Sequence, residues 1–299
     1  MQQKVSQYPS HPVTVVIPVY NRAGIVRRVL ESLGAQSCRD FGVVLVDNAS
    51  TDGTRAVLEE WSRQTSLTVR IASESRRGAA AARQTGLGLC DSEWVMFFDS
   101  DDIMLPDHIG RALREARCHP DADMIGWDIW HTDSSGRCRK PFVSRDIRYR
   151  SLFNGTLSTQ RYFARKALFV NAGGWKPDIG IWDDIELGAR LLAQNPVIYK
   201  SEGEPTVEVI VQPDSITVAP VDIEDVEHTL RSIAQTYGNT RWTALKEMIL
   251  AAGTPGSQAT AIRRRVLASA SSHRFLLRLA YTYTRLGGRG IARILRPLM

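Results

Sequence analysis

Among 299 residues there are four cysteines, Cys38, Cys90, Cys118 and Cys138, spaced too far apart for paired zinc ligation or a disulfide framework. They read as reduced thiols, which favours a cytoplasmic setting. No apolar run reaches the roughly eighteen residues that cross a bilayer, and the leading MQQKVSQYPSHP has no apolar signal core. Neither a membrane span nor export by that route is expected. The six histidines do not cluster at ligand spacing; His108 and His119 flank one helical stretch, and none is given a role. A glycine-rich phosphate loop with a lysine is missing after the first apolar run, where Tyr20-Asn21-Arg22 stands instead. That weakens a nucleotidyltransferase reading.

A hydrophobic content of 43% supports a sizeable core, in one large α/β unit with an appendage or in two domains. The net charge of +6 suits an anionic partner: nucleic acid, anionic lipid or a nucleoside diphosphate. Up to about residue 220 the arginines are interspersed with acids, so no patch for nucleic acid forms, and none is expected as a partner.

Val13 to Val19 is a β-branched run that ends in a turn, and Ile25 to Leu33 follows with apolar residues at helical spacing. The pattern recurs as strand Phe41 to Val46 and helix Thr54 to Trp61, then strand Leu67 to Ala72, helix Gly78 to Leu89 and strand Trp94 to Phe98. Such alternation predicts a mostly parallel, doubly wound sheet with ligands bound beyond the carboxyl ends of its strands. From about Ala122 strand-like pieces follow at Met124 to His131 and Leu157 to Phe163, with a Gly173-Gly174-Trp175 turn and a helix from Asp183 to Leu192. After Pro220 the chain turns helical and arginine-rich.

The chemistry is expected at strand ends. In Val95-Met96-Phe97-Phe98-Asp99-Ser100-Asp101-Asp102 an apolar strand delivers three carboxylates into the crevice. Two carboxylates one residue apart suit a hard divalent ion, Mn²⁺ or Mg²⁺, that would bridge a diphosphate; a helix cap before Pro106 is the plainer alternative. Asp47 ends the second strand and can accept a hydrogen bond from a base or ribose, while Asp52 or Thr51 can cap the next helix. Arg76, Arg77 and Arg83 lie around a small-residue helix start, where they could meet phosphate. Trp182-Asp183-Asp184 sets an acidic pair at a helix start beside a ring able to stack on a sugar.

In their order these motifs resemble those of inverting family-two glycosyltransferases of GT-A fold, over about Pro12 to Val218. The matching segments are Val16 to Arg22, Val46-Asp47-Asn48 with Ser50 to Thr54, Ala82 to Gly86, Phe98 to Asp102, Gly173-Gly174-Trp175 and Trp182-Asp183-Asp184. The resemblance implies a GT-A catalytic domain over residues 1–220, with a nucleotide-sugar half (12–121) and an acceptor half (122–220), followed by a helical region over 221–299. It implies that Pro18, Tyr20, Arg22, Asp47 and Asp52 line the nucleotide pocket and that Asp99 touches the ribose side. Ser100, Arg77 and Arg83 are placed with the donor. Asp101, with Asp99, is expected to hold the metal. Asp184, or its neighbour Asp183, is expected to be the general base, with Trp175 and Trp182 on the acceptor side. The expected donor is a nucleotide sugar, UDP-linked by family preference, and the acceptor bears a hydroxyl.

Three positions depart from the family pattern. Asp183 stands where glutamate is usual, Asn48 replaces a frequent aspartate, and Gln212 replaces a frequent metal-proximal histidine. The last two are what an inactive nucleotide-sugar-binding scaffold would show, although Asp99, Asp101 and Asp184 are all retained. Trp127, Trp130, Phe153, Trp175 and Trp182 are either cleft-bordering or core. The arginines Arg263 to Arg265, Arg274, Arg278, Arg285, Arg289, Arg293 and Arg296 are interleaved with apolar residues. Residues 263–299 therefore either lie on anionic lipid at the inner membrane face or, by default, pack on the catalytic domain or a second subunit.

Overall fold

The β-branched run Val13–Val19 forms strand β1, buried throughout except at Pro18. The computed structural model describes residues 11–211, 222–237, 240–253, 256–270 and 273–295, so Gln212 lies outside the described residues. After β1 come helix α1 (Val26–Gly34), β2 (Gly42–Asp47), α2 (Thr54–Gln64), β3 (Thr68–Ser73), α3 (Ala79–Gly88) and β4 (Trp94–Phe97). β4, β1, β2 and β3 are neighbours in that order and parallel. Their carboxyl ends therefore open on one side, as the strand-helix alternation predicts.

The next elements are β5 (Ile103–Met104), α4 (His108–Cys118), β6 (Met124–Trp127), β7 (Ile129–Asp133), β8 (Gly136–Lys140) and α5 (Ile147–Asn154). A 3₁₀ turn (Thr159–Arg161), β9 (Tyr162–Arg165), α6 (Lys166–Asn171), α7 (Asp183–Ala193), β10 (Ile198–Ser201) and β11 (Val207–Ile210) complete this part. The large sheet has the order β10-β6-β9-β4-β1-β2-β3, and β9 runs antiparallel to both its neighbours. A smaller sheet has the order β5-β11-β7-β8.

Two sequence expectations change here. The single strand read over Met124 to His131 is split between the two sheets at Asp128. The buried Asp128 carboxylate accepts hydrogen bonds from Phe142 N (2.8 Å) and Arg139 Nε (2.8 Å), which turns the chain out of the first sheet. The strand read over Leu157 to Phe163 begins as the 3₁₀ turn, and pairing starts only at Tyr162.

The alternating side chains of the parallel strands feed two apolar layers. Val13, Val15, Ile17 and Val19 pack with α1, Leu58 of α2, and α4, whereas Val16, Val44 and Val46 pack with α3, α6 and α7. α3 lies very close to β1, since a Cβ at Gly86 would stand 2.3 Å from Val16 Cγ1. Ala80, Ala81 and Ala82 are buried. The small residues of α3 are thus spent on helix-sheet packing.

The helical region contains α8 (Ile223–Tyr237), α9 (Thr240–Gly253), α10 (Gly256–Ser269), α11 (Arg274–Arg285) and α12 (Ile291–Leu295). Val226, Leu230 and Ile233 of α8 bury against Leu152, Ile185 and Ala189. The inner faces of α9 to α12 enclose their own core with Tyr149 of α5. No helix among the described residues is long and apolar enough to cross a membrane.

Candidate active site

The loops after β1, β2 and β4 meet over the sheet. Asn21 holds a left-handed backbone (φ 49°), its N–H donates to Ser50 Oγ (3.0 Å), and its Oδ1 accepts from Thr51 N (2.8 Å). Arg22 N donates to Thr54 Oγ1 (2.8 Å). Asp52, one residue before Gly53, the N-cap of α2, accepts from Thr54 N (2.9 Å) and Ala23 N (3.2 Å) and so ties the start of that helix to the first loop. These bonds, led by the one from the Thr54 hydroxyl, hold its carboxyl below the usual carboxylate range. Asp47 is buried at the end of β2 and accepts from Ser50 N (3.2 Å). Pro18 lies past Val16, the last β1 residue paired with β4, and Tyr20 is 40% exposed with the Arg77 guanidinium 5.4 Å over its ring.

Asn48 acts as a clamp. Its Nδ2 donates to the carbonyls of Glu74 (3.0 Å) and Arg76 (2.7 Å), and its Oδ1 accepts from Gly78 N (2.8 Å). A carboxylate could make the last of these bonds and neither of the first two. The asparagine therefore sets the loop that leads into α3.

After β4, Arg22 Nη2 stands 4.0 Å from Asp101 Oδ2, linking the first loop to the acidic segment. Asp99 Oδ1 accepts from Arg83 Nη2 (2.7 Å), and Gln160 Nε2 donates to Asp99 Oδ2 and to Asp102 Oδ2 (2.5 Å). Asp102 also accepts from Ile210 N (2.9 Å), and Ser100 is buried. Burial, with the charges of Asp99 and Asp101, pushes Asp102 well above the usual carboxylate range.

Arg83 is turned inward. Its guanidinium bonds Asp99 and also Asp183 Oδ2 (2.6 Å), and it lies 4.8 Å over the Trp175 ring. Burial opposes its charge, but Asp183 and Asp99 more than offset that and keep it protonated. Read from sequence as a phosphate contact, Arg83 is instead committed to two carboxylates. Trp175, read as an acceptor-side ring, is 2% exposed and packs edge-on against Phe97 at 5.1 Å, so no sugar can stack on it. Trp127 is likewise core, while Trp130, Phe153 and Trp182 keep some exposure.

At the start of α7, Trp182 adopts a left-handed backbone (φ 54°), and Asp183 Oδ1 accepts from Asp184 N (3.0 Å). Asp184 Oδ1 accepts from Ile185 N (2.8 Å). Burial raises both carboxyls; Asp184, with Asp183 beside it, is pushed up to about 7, whereas Arg83 partly restrains Asp183. Of the two, Asp184 has no bond to Arg83 among those described and is poised to take up a proton.

Three contributors escaped sequence reading: Gln160, Asp102 in its buried role, and Lys246. Lys246 of α9 donates to the Leu152 carbonyl and stands 4.2 Å over the Trp182 ring. Burial lowers it to about 8 against the pull of Asp184. No local motif marks Gln160 or Lys246 in the sequence.

The site offers carboxylate oxygens without thiol or imidazole, a donor set that suits Mg²⁺ or Mn²⁺. Both Asp99 oxygens are engaged by Arg83 and Gln160, whereas Asp101 has a partly exposed carboxylate. Among the described residues no group of three or more potential ligands could hold an ion alone. Asp101 is thus the carboxylate of this set left to face an ion.

Residues 14–169, over half of the chain, match the family described as Glycosyl transferase family 2. The chain belongs to this family. An uncharacterized glycosyltransferase of Haemophilus influenzae is 33% identical over 113 residues, 38% of this chain and 37% of that protein. A PGL/p-HBAD biosynthesis glycosyltransferase of Mycobacterium bovis is 26% identical over 186 residues, 62% of this chain and 71% of that one. The chain thus spans little more than a third of the first relative's length. Among solved structures, S. aureus TarS 1–349 in complex with UDP-GlcNAc superposes with a TM-score of 0.69 at 21% identity, covering 95% of this chain and 91% of TarS 1–349. A Pyrobaculum calidifontis mannosyltransferase in complex with GDP-Man and Mn²⁺ gives 0.53 at 19%, over 98% and 90% of the two chains. These likenesses establish the GT-A type fold, and this member of the family carries its clustered acids at the carboxyl ends of the parallel strands.

Proposed function

We propose that this glycosyltransferase moves a sugar from a nucleotide-sugar donor, UDP-linked by preference, to an acceptor hydroxyl in one displacement with inversion. The observation that carries the reading is the Arg83 bridge. It ties Asp99, at the end of β4, to Asp183, at the start of α7, so that a donor-side and an acceptor-side carboxylate share one cleft. TarS in complex with UDP-GlcNAc supports the donor class.

In this reading Pro18, Tyr20, Arg22, Asp47 and Asp52 surround the base and ribose, with Asp99, Ser100 and Arg77 on the donor side. Asp101, with Asp99 beside it, would hold a divalent cation, which offsets the charge that develops on the departing nucleoside diphosphate. Asp184 takes the proton from the acceptor hydroxyl as that oxygen attacks the anomeric carbon from the face opposite the leaving group. Its carboxyl, raised to about 7, suits a base working near neutral pH. Asp183 is held by Arg83 and supports its neighbour. Trp182 offers the acceptor an aromatic edge, and residues 1–220 act as the catalytic unit that the helical region completes through Lys246.

A panel of UDP-, TDP- and GDP-sugars, incubated with Mn²⁺ and a mixture of hydroxyl acceptors, tests this. Acceptor-dependent release of one nucleoside diphosphate is expected. No release from any donor, or release of pyrophosphate in a parallel incubation with a nucleoside triphosphate and a sugar 1-phosphate, would overturn the reading, the latter in favour of a nucleotidyltransferase.

A further inference from the structure

All 32 acidic residues lie at or before Glu247, and residues 248–299 carry nine arginines with no acid. The remaining 29 cations leave residues 1–247 with a net charge of −3, so the chain's excess of +6 comes entirely from its last stretch. α11 presents this charge in an ordered way. Leu277 and Ala280 face the helical core, while Phe275 is 76% exposed, Leu279 43% and Leu286, just past the helix, 83%. At 3.6 residues per turn these three lie on one face. Arg274, Arg278 and Arg285 form a row along one border of that face, on the same side of the helix as Tyr281, over whose ring Arg263 stands at 5.0 Å. Ile294, 58% exposed, and Arg293 extend the pattern onto α12.

An exposed apolar stripe bordered by arginines is the pattern of a helix that lies in a bilayer interface, with its rings among the acyl chains and its cations at anionic headgroups. Soluble surfaces leave single apolar residues exposed, but a Phe-Leu-Leu stripe beside a row of arginines is a contiguous feature. A second copy docking face to face would set arginine against arginine with no acid to neutralise them. A nucleic acid would use the arginines and leave the stripe in water. We propose that α11 and α12 seat this glycosyltransferase on the surface of a bilayer rich in anionic phospholipid, through Phe275, Leu279 and Leu286 and their flanking arginines. The buried faces of the same helices keep the packing role, so the region serves both ends.

The test is co-sedimentation of the full chain with phosphatidylcholine vesicles, with and without phosphatidylglycerol. Binding is expected only to the anionic vesicles and should weaken as salt rises. The double substitution Phe275→Ser with Leu279→Ser, at exposed positions, should leave the melting temperature in place and weaken vesicle binding about tenfold or more. Arg278→Gln should weaken it about fivefold. Equal pelleting with both vesicle types, no pelleting, or a concentration-dependent dimer dispersed by the double substitution would overturn the proposal. Nucleotide binding by the cleft is read separately and does not depend on either result.

Discussion

The cleft and the last helices handle charge in opposite ways. In the cleft, acids outnumber cations and are held in place: by Arg83 between Asp99 and Asp183, by Arg22 beside Asp101, and by the neutral Gln160 amide across Asp99 and Asp102. Beyond Glu247 the described arginines face solvent with no acid of their own stretch, and Arg265 finds its carboxylates back on Glu227 and Glu247. Clustered, partly buried carboxylates repel one another unless a cation is present, and this suits a site that captures a metal-bound diphosphate. Solvated arginines beside apolar side chains suit attachment to a surface. The same residue classes thus serve preorganisation in one region and adhesion in the other.

Substitutions sharpen that contrast, since a change in the cleft should alter turnover or folding and a change in the last helices should alter neither. The largest effect is expected from Asp184→Asn, which removes the proposed base and should lower kcat about 10²- to 10⁴-fold with nucleotide affinity retained. In the unsubstituted enzyme the rate should climb with pH through about 7 as Asp184 ionises. The stability sign is the reverse. A carboxyl raised in the folded state favours folding while it is protonated, so its contribution is lost as pH rises from the ordinary carboxylate value toward about 7. Asp184→Asn should therefore melt higher than the parent at pH 8, measured by calorimetry.

Arg83→Met comes next. It strands two carboxylates against the core and should cost about 3–5 kcal/mol of stability in urea titrations. Asn48→Asp should cost about 1–3 kcal/mol, because two backbone carbonyls lose their donor and face a carboxylate. The smallest effect is expected from Lys246→Met. Without that cation Asp184 ionises less readily, and the acid limb of the rate profile should move to higher pH by a fraction of a unit. An unchanged limb would make Lys246 a packing residue alone.

The strands and their terminal acids were legible in the sequence because each is a short apolar run stopped by polar residues. β1 and the helix from Asp183 begin where the sequence places them. Partnership was not legible. Arg83 looked like a phosphate contact because nothing local distinguishes a phosphate from Asp183, one hundred residues away in the chain. Trp175 was placed on the acceptor side because its burial is set by Phe97 and Arg83 rather than by its neighbours in sequence. Gln160 and Lys246 reach the cleft from a 3₁₀ turn and a distant helix, and no motif marks either.

The carboxylates after β4 are proposed to form a metal-assisted nucleotide-sugar site. Calorimetric titration with UDP, TDP and GDP, with and without Mn²⁺, on the parent and on Asp101→Ala tests it most directly. Nucleotide binding that requires Mn²⁺ and is abolished by Asp101→Ala is predicted, while binding of no nucleotide, or binding indifferent to both the ion and the substitution, would contradict it.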